Sequence, residues 1–294
     1  MQVFYREYNY FQGGDKVTTP VIDFHIHTIY YEYSTPGLME FFEKNCRDAA
    51  GDLPAYIEKY KDPATFAAHL NDSGADYGVI LAEYCPINTG IATNENVYNF
   101  CLGQKSLIPF ACLNPYMLSN PAAELERLVK DMGFRGLKLY PSYDLFYPND
   151  PIMYPVYSKA QELGIPVMMH TGSSTFYGTR IKYCDPIFFD DLAVDFPNLN
   201  LLMCHSGRGF WYDRAFFLSR LHKNLYMEIS GLPPQKLFDY FPEFERNADK
   251  IIFGTDWPAL NIKANIAGIR ALPLKEENIA KILGGNAARL LKID

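Results

Sequence analysis

The 294-residue chain contains 27 Lys and Arg against 34 Asp and Glu, a formal net charge of −7, and 48% of its residues are hydrophobic. This length can bury a large core, and this composition excludes a chain that is mainly disordered. The acidic balance argues against a nucleic-acid substrate, because proteins that bind phosphate backbones carry a basic surface.

The sequence pattern predicts a cytoplasmic protein without a membrane partner. Its first residues, MQVFYREYNYFQGGD, form no apolar signal core. No apolar run reaches the length of about 18 residues that is typical of a membrane span. The six cysteines form no C-x-x-C pair, and most lie in or beside apolar runs, where a free thiol packs as a small hydrophobic group. We therefore expect the cysteines to be reduced.

Short apolar runs along the chain predict eight buried strands. They are rich in Val, Ile, Leu, Met and Phe and do not alternate strictly with polar residues, which is typical of parallel strands covered on both faces. The predicted strands are Val21–His25, Tyr77–Ala82, Leu107–Cys112, Arg135–Tyr140, Pro166–His170, Asn200–His205, Asn224–Ile229 and Lys250–Gly254.

Helix-start and helix-stop residues mark the stretches between these strands. Asn120-Pro121 starts a helix that Gly133 ends, and a helix over Pro155–Leu163 ends at Gly164. Near the C-terminus, Gly284-Gly285-Asn286 predicts a loop followed by a helix with an Asn cap. Repeated strand–helix units over about 250 residues predict an α/β fold, a (β/α)8 TIM barrel. An open doubly wound sheet is the alternative, but no Gly-rich phosphate turn follows the first strand.

We expect a single barrel domain over residues 1–294. Residues 1–20 form an N-terminal extension, residues 30–61 an insertion after the first strand, and residues 274–294 one or two closing helices. A long loop on the C-terminal face of a barrel can act as a lid or as a pocket wall. The aromatic residues of this insertion that would close over an aromatic substrate are Tyr30, Tyr31, Tyr33, Phe41 and Phe42.

Side chains suited to metal binding follow the C-terminal ends of the predicted strands. They are His25, His27, His170, His205 and Asp256. These strand ends meet at one face of a barrel, and side chains two residues apart on a strand point the same way. Imidazole nitrogen and carboxylate oxygen are typical zinc ligands. An isolated H-x-H pair is more often a packing or surface feature, but the conjunction predicts a catalytic metal site.

Several motifs make the chain resemble the amidohydrolase superfamily. They are VIDFHIH, GFRGLKLYPSY, ELGIPVMMHTG, LLMCHSG, IIFGTDWP and ILGGNAARLL, and they span residues 21–291. The sequence is most similar to the amidohydrolase-related branch that includes aminocarboxymuconate semialdehyde decarboxylase. The resemblance implies one divalent metal per chain, expected to be Zn²⁺, held by His25, His27, His170 and Asp256. It also implies that His205 polarises the substrate or transfers protons, and that Asp256 accepts a proton from metal-activated water.

Three further residues are candidates for substrate binding. Lys138 could contact a substrate carboxylate, could be carboxylated and bridge two metals, or could form an ion pair within the barrel. Arg208, three residues beyond His205, could hold a carboxylate bidentately. Tyr140 follows the same strand as Lys138. Weaker candidates for the mouth of the barrel or for support of the ligands are Asp23, Glu83, Tyr84, Arg47 and Arg180.

Four functions remain open at this point. The favoured expectation is hydrolysis of a C–N or C–O bond, in an amide, lactone or ester, by metal-activated water. The alternative is non-oxidative decarboxylation of an aromatic or muconate-like acid at the same site. A TatD-like nuclease is disfavoured, because Lys138 stands where a Glu ligand is expected. The fourth is a non-catalytic binding barrel. We expect a small-molecule substrate, no nucleic acid, no membrane and, as in many barrels of this branch, a homodimer.

Overall fold

Eight parallel strands curl into a nearly closed barrel in the computed structural model, which describes residues 19–293. The barrel order is β1-β3-β6-β7-β8-β9-β10-β11, and a separate three-stranded sheet has the order β2-β5-β4. The strands are β1 (Ile22–His27), β2 (Tyr33–Ser34), β3 (Tyr77–Leu81), β4 (Glu83–Cys85), β5 (Gly90–Ala92), β6 (Leu107–Cys112), β7 (Gly136–Leu139), β8 (Val167–Gly172), β9 (Leu201–Arg208), β10 (Leu225–Glu228) and β11 (Ile251–Ile252). The predicted (β/α)8 fold is confirmed.

Helices cover the outside of the barrel and both of its ends. They are α1 (Pro36–Asn45), α2 (Leu53–Tyr60), α3 (Pro63–Asp72), α4 (Asn94–Cys101), α5 (Pro121–Met132), α6 (Pro141–Asp144), α7 (Tyr154–Leu163), α8 (Phe188–Asp195), α9 (Tyr212–Leu221), α10 (Leu237–Tyr240), α11 (Ile262–Arg270), α12 (Glu276–Ala280) and α13 (Asn286–Leu291). The predicted boundaries of α5 are correct: Asn120 accepts a hydrogen bond from the amide of Ala123, and Gly133 ends the helix at φ +75°.

Backbone hydrogen bonds join β1 to the segment after β11 and so complete the ring. The amide of Phe24 donates to the carbonyl of Phe253 at 3.0 Å, and the amide of His27 donates to the carbonyl of Trp257 at 2.9 Å. The buried carboxylate of Asp23 strengthens this seam, because it accepts hydrogen bonds from the amide and the hydroxyl of Thr255 at 2.9 and 2.6 Å. Asp23 therefore fixes β1 against the loop that carries Asp256.

Two apolar layers stabilise the barrel. The interior layer includes Phe24, Phe110 and Met168 and continues onto α13, whose Leu290 and Leu291 close the N-terminal end of the barrel. A larger layer lies between the strands and the surrounding helices. The C-terminal segment thus closes the barrel as predicted.

The expected loop at Gly284-Gly285-Asn286 is wrong. A π-helical segment, Lys281–Gly285, continues from α12 into α13. The side-chain amide of Asn286 donates to the carbonyls of Ala248 and Ile251 at 2.7 and 2.8 Å instead of capping a helix. Gly284 is required for close packing, because a Cβ there would lie 1.7 Å from the carbonyl oxygen of Pro20.

The insertion after β1 contains β2, α1 and α2 and pairs with a hairpin that the sequence pattern missed. This hairpin, β4 and β5, follows barrel strand β3, and β5 pairs with β2 in antiparallel register. The insertion is thus attached to the barrel through the hairpin. Most of the expected N-terminal extension, residues 1–20, lies outside the described residues.

None of the helices within residues 19–293 has the length and apolar character needed to cross a membrane. All six cysteines are buried and free in the structure, as the spacing indicated.

Candidate active site

The C-terminal ends of the barrel strands open into a cavity of about 340 Å³. The expected metal ligands and the three main candidates for substrate binding all line this cavity, together with His205: His25, His27, Lys138, Tyr140, His170, His205, Arg208 and Asp256. The insertion contributes Tyr31, Leu38, Phe41 and Phe42, and the segment after β8 contributes Ser173, Ser174, Thr175 and Phe176. This volume suits a small organic molecule.

Two β-bulges direct the histidines at the cavity. In β1 the pairing with β3 shifts by one residue between Asp23 and Ile26. In a regular strand, neighbouring side chains face opposite sides, but the bulge interrupts this alternation. Phe24 therefore belongs to the interior layer, and His25 and His27 also face the barrel axis. In β9 the register with β8 shifts after Cys204, where His205 adopts a left-handed φ of +60°. Such strained backbone is typical of functional sites.

Each histidine of β1 has a buried glutamate at its Nδ1 atom. Nδ1 of His25 lies 3.0 Å from Oε2 of Glu228, and Nδ1 of His27 lies 3.3 Å from Oε2 of Glu83. The hydrogen bond of Glu228 to Nδ1 of His25 favours the tautomer with the proton on that atom, which leaves the Nε2 lone pair free for a metal. The contact of Glu83 with His27 is close but is not aligned as a hydrogen bond.

The two free nitrogens converge on one carboxylate oxygen. Nε2 of His25 and Nε2 of His27 lie 3.4 and 3.2 Å from Oδ1 of Asp256. Metal–ligand distances of about 2.0–2.2 Å separate neighbouring ligand atoms by roughly 3–3.5 Å. The nitrogen lone pairs and the carboxylate oxygen repel each other unless a cation lies between them. The donor set therefore fits a divalent metal.

His170, the fourth expected ligand, does not belong to this close group of ligand atoms. Two groups of converging ligand atoms occur in residues 19–293: His25 with His27 and Asp256, and His25 with His205 and Glu228, and neither includes His170. Nevertheless, His170 is 3% exposed, and its Nε2 is buried without a hydrogen-bond partner among the described residues. A buried polar atom without a partner is costly, and a metal bound in this cavity would satisfy it.

Burial sets the protonation of the site. Burial lowers the pKa of His25, His170 and His205 well below the usual value, so these rings are neutral. Burial alone would raise the pKa of Asp256, but the neighbouring imidazoles hold it well below its usual range. For His27, burial is outweighed by Asp256 and Glu83, which raise the pKa to about 9. The site thus offers a cation the ionised Asp256 and the neutral rings of His25 and His170, and a bound metal would displace the proton of His27.

His205 has its tautomer fixed by the backbone. Its Nδ1 lies 2.9 Å from the carbonyl oxygen of Ser230, so Nδ1 carries the proton and donates it. The neutral ring then presents an Nε2 lone pair, which accepts a proton or a hydrogen bond. Proton transfer, one of the two roles expected for His205, thus fits the neutral ring, whereas polarising the substrate by donation from Nε2 requires the protonated ring.

Lys138 is a buried cation without an anionic partner. It is 0% exposed, and its Nζ lies 3.4 Å from Nε2 of His25 and 3.2 Å from Sγ of Cys204. Its ammonium also lies 5.0 Å from the ring centroid of Tyr140. Within residues 19–293 no carboxylate pairs with Lys138, so the ion pair within the barrel is not formed. An unpaired buried charge costs several kcal/mol, which favours an anion in the cavity.

Arg208 lies on the other side of His205. One Nη2 hydrogen bond reaches the carbonyl oxygen of Ser173 at 3.0 Å. Its guanidinium rests against Gly231, where a Cβ would lie 2.7 Å from Nη1 of Arg208 and 3.1 Å from Oδ2 of Asp256. In the described part of the chain it makes no ion pair with a carboxylate, so its remaining donors face the cavity.

Sequence reasoning missed two residues that contact the candidate metal ligand His25. Oε1 of Glu228 accepts from the amide of Ser230 at 2.7 Å, and the Ser230 hydroxyl donates to Oε2 at 2.8 Å. The same hydroxyl lies 2.9 Å from Nδ1 of His25 and 3.0 Å from Nδ1 of His205. Burial raises the pKa of Glu228 to about 7, although Lys138 and Ser230 lower it. The sequence signal that could have identified Glu228 is its charge near the end of the otherwise apolar run Asn224–Ile229.

Other candidates lie away from the cavity. Arg47 and Arg180 are exposed and do not line it. Tyr30 and Tyr33 are 47% and 50% exposed and face outward, whereas Tyr31 reaches the cavity.

The family model described as Amidohydrolase (Amidohydro_2) matches residues 22–293. The chain belongs to this amidohydrolase family. Gamma-resorcylate decarboxylase of Rhizobium sp. (strain MTP-10005) is 26% identical over 218 residues, covering 58% of this chain and 65% of the relative. The enzyme of that name from Polaromonas sp. (strain JS666 / ATCC BAA-500) is 26% identical over 318 residues, covering 86% of this chain and 96% of the relative. A 2-keto-4-carboxy-3-hexenedioate hydratase of Sphingobium sp. (strain NBRC 103272 / SYK-6) is 33% identical over 115 residues, 34% of each chain.

Solved structures share the fold of this member of the amidohydrolase superfamily. The uncharacterized TIM-barrel protein Bb4693 from Bordetella bronchiseptica has a TM-score of 0.76 at 22% identity, covering 92% of this chain and 98% of that one. A dihydroxybenzoic acid decarboxylase from Polaromonas sp. JS666, with bound manganese and 2-nitroresorcinol, has a TM-score of 0.65 at 20% identity, covering 94% and 97%.

These relatives correct one expectation. The expectation of a hydrolase acting on a C–N or C–O bond is wrong, because the relatives that match more than half of this chain are gamma-resorcylate decarboxylases; they favour the decarboxylase alternative. The expectation of zinc stays a prediction, and the metal in the Polaromonas structure is manganese. The expectation of a divalent-metal site is supported by the converging ligand atoms.

Proposed function

We propose that this protein is a divalent-metal-dependent, non-oxidative decarboxylase of a small aromatic or conjugated carboxylic acid. The observation that carries the proposal is one cavity that combines a metal-type ligand set, aromatic walls and two basic side chains that have no carboxylate partner within residues 19–293. The similarity to gamma-resorcylate decarboxylases over most of the chain supports the reaction class. One metal ion per chain is the simplest occupancy of the His and Asp ligand set.

The cations account for recognition of an acid. Lys138 lies at the floor of the cavity, against His25, and Arg208 lies at its side, against Ser173. A planar guanidinium can bind a carboxylate bidentately, whereas an ammonium acts as a point charge. A substrate anion between them would remove the cost of two unpaired charges, so acids should bind and neutral analogues should not.

Aromatic side chains account for recognition of a flat substrate. Tyr143 packs edge-on against His170 at 5.2 Å, and Phe41 packs against Phe176 at 5.0 Å between ring centroids. Rings at such distances offer stacking and edge contacts to a planar ligand. The walls also exclude water, which strengthens the electrostatic interactions inside the cavity.

Decarboxylation breaks the bond between the carboxyl carbon and the substrate carbon. Carbon dioxide leaves, the electron pair stays on the substrate carbon, and that carbon takes up one proton. A divalent metal bound by His25, His27, His170 and Asp256 would act as a Lewis acid toward substrate oxygens. His205 is suited to move the proton, because Ser230 holds its Nδ1–H and Nε2 can receive a proton and release it.

Product analysis tests the proposal. Purified protein is stripped of metal, loaded with Mn²⁺ or Zn²⁺, and incubated with gamma-resorcylate, salicylate and conjugated dicarboxylic acids, with aryl amides and lactones as the comparison. We expect one acid to lose its carboxyl group and, in D₂O, to gain one deuterium at the same carbon. Arg208→Lys should retain part of this activity and Arg208→Met should lose it. Turnover of an amide or lactone without decarboxylation of any acid would refute the proposal.

A further inference from the structure

The side chain of Glu83 joins the insertion to the metal site. It is 2% exposed, and its Oε2 accepts a hydrogen bond from the Tyr31 hydroxyl at 2.7 Å. The same oxygen lies 3.3 Å from Nδ1 of His27, an ion-pair contact that is not aligned as a hydrogen bond. A single carboxylate oxygen therefore contacts both a residue of the insertion and a metal ligand of the barrel.

The other oxygen of Glu83 ties in the hairpin. The Thr89 hydroxyl donates to Oε1, and the carbonyl of Thr89 accepts from the amide of Thr35 at 2.9 Å. Thr35 caps α1 through its side chain. Burial alone would raise the pKa of Glu83, but His27, Thr89 and Tyr31 lower it. The Glu83 side chain is therefore contacted from three directions, by Tyr31, Thr89 and His27.

The insertion forms the roof of the cavity. Phe41 and Phe42 of α1 line it, and Phe41 contacts Phe176 on the opposite side. The rings of Tyr31 and Phe42 lie 6.5 Å apart. His27 and Asp256 are only 19% and 17% exposed beneath this roof. The insertion therefore narrows the path between these two side chains and solvent.

We infer that Glu83 is a positioning residue that latches the insertion through Tyr31 and supports the metal ligand His27 with the same oxygen, so that retention of the metal depends on closure of the insertion. This inference rests on the metal site of the proposed function but not on its reaction. Opening the roof breaks the Tyr31 hydrogen bond and loosens the carboxylate that orients His27. Supports of this kind commonly change metal affinity by about 10–100-fold when removed.

The test compares Tyr31→Phe with Tyr33→Phe. Both changes remove one hydroxyl from the insertion, but the Tyr33 side chain is half exposed and does not line the cavity. Two quantities are measured on the folded full-length protein: the rate at which a chelator removes bound Mn²⁺ or Zn²⁺, and amide hydrogen exchange across residues 30–45. Loss of one hydrogen bond is worth about 1 kcal/mol, which corresponds to roughly fivefold.

We expect Tyr31→Phe to increase both rates about three- to tenfold and Tyr33→Phe to change neither. Faster exchange without faster metal release would overturn the inference, as would equal behaviour of the two variants. Glu83→Gln should release metal faster than Tyr31→Phe, because it weakens the support of His27 directly. If the wild-type protein binds no metal, the proposed function fails; if it binds metal and Tyr31→Phe has no effect, only the latch fails.

Discussion

Replacing Glu228 by Gln tests how the site holds His25. The carboxylate accepts from the Ser230 amide, the Ser230 hydroxyl and the Nδ1 atom of His25. A glutamine of the same shape has only one acceptor oxygen, so its NH₂ group must face a donor. If it faces His25, the ring changes tautomer and Nε2 becomes protonated, which prevents metal binding.

The magnitude follows from these contacts. Losing a carboxylate behind a histidine ligand costs about 10–100-fold in metal affinity, which is about 1.4–2.8 kcal/mol. The free energy of unfolding of the metal-free protein should change less, because burial penalises the charge of Glu228 and raises its pKa to about 7. The neutral amide avoids this penalty and offsets part of the lost hydrogen bonding.

The assay is a chelator competition at pH 8, with urea unfolding of the metal-free protein as the second measurement. Glu32→Gln serves as the control, because Glu32 is exposed on the insertion and its carboxylate contacts Thr93 outside the cavity. We expect weaker metal binding only for Glu228→Gln. Unchanged metal affinity in this variant would refute the assignment of Nε2 of His25 as a ligand atom fixed by Glu228.

Three further outcomes are expected. His205→Asn should lower the decarboxylation rate by at least about 100-fold while the metal content, measured by plasma mass spectrometry, stays unchanged; normal turnover would remove the proton-transfer role. Gly231→Ala should raise KM, because its Cβ would meet Nη1 of Arg208 at 2.7 Å, and an unaltered KM would argue against Arg208 as a substrate contact. Burial raises the pKa of Asp144 well above its usual value, so the folded state prefers the neutral acid. The free energy of unfolding should therefore fall as pH rises from the unfolded pKa near 3.8 through the folded pKa. Between pH 6 and pH 9, urea unfolding should show a smaller fall for Asp144→Asn than for the wild-type protein. Equal falls in the two proteins would contradict the raised pKa of Asp144.

The sequence was sufficient for the barrel and for the ends of its strands. Apolar runs without strict alternation identify buried parallel strands, and in a barrel their C-terminal ends must meet. His25, His27, His170, His205 and Asp256 could therefore be placed in one cavity before their contacts were known. Helix boundaries such as Asn120 and Gly133 depend on local backbone chemistry and were also predictable.

The features that the sequence did not predict depend on contacts between distant segments of the chain. The bulges in β1 and β9 are defined by pairing with neighbouring strands, and no local signal marks them. The support of His25 by Glu228 joins residues 203 positions apart. The pairing of β2 with the hairpin is likewise tertiary, so the sequence indicated an insertion but not its attachment.

The reaction class could not be read from the metal ligands. A hydrolase and a decarboxylase can use the same His and Asp set, and the difference lies in what the cavity binds and in where a proton is delivered. The unpaired Lys138 and Arg208 and the tautomer of His205 are features of the folded site. The amidohydrolase motifs therefore predicted a divalent-metal site, but they did not predict the bond that is broken.

The most direct test of metal-dependent decarboxylation is release of labelled carbon dioxide from carboxyl-¹³C gamma-resorcylate, or from the best acid of the panel, as metal is added to the metal-free protein. We expect the rate of ¹³CO₂ release to be near zero without metal, to rise with added metal, and to level off at one equivalent per chain. Full release without metal, or no release at any metal concentration for any acid of the panel, would contradict the account.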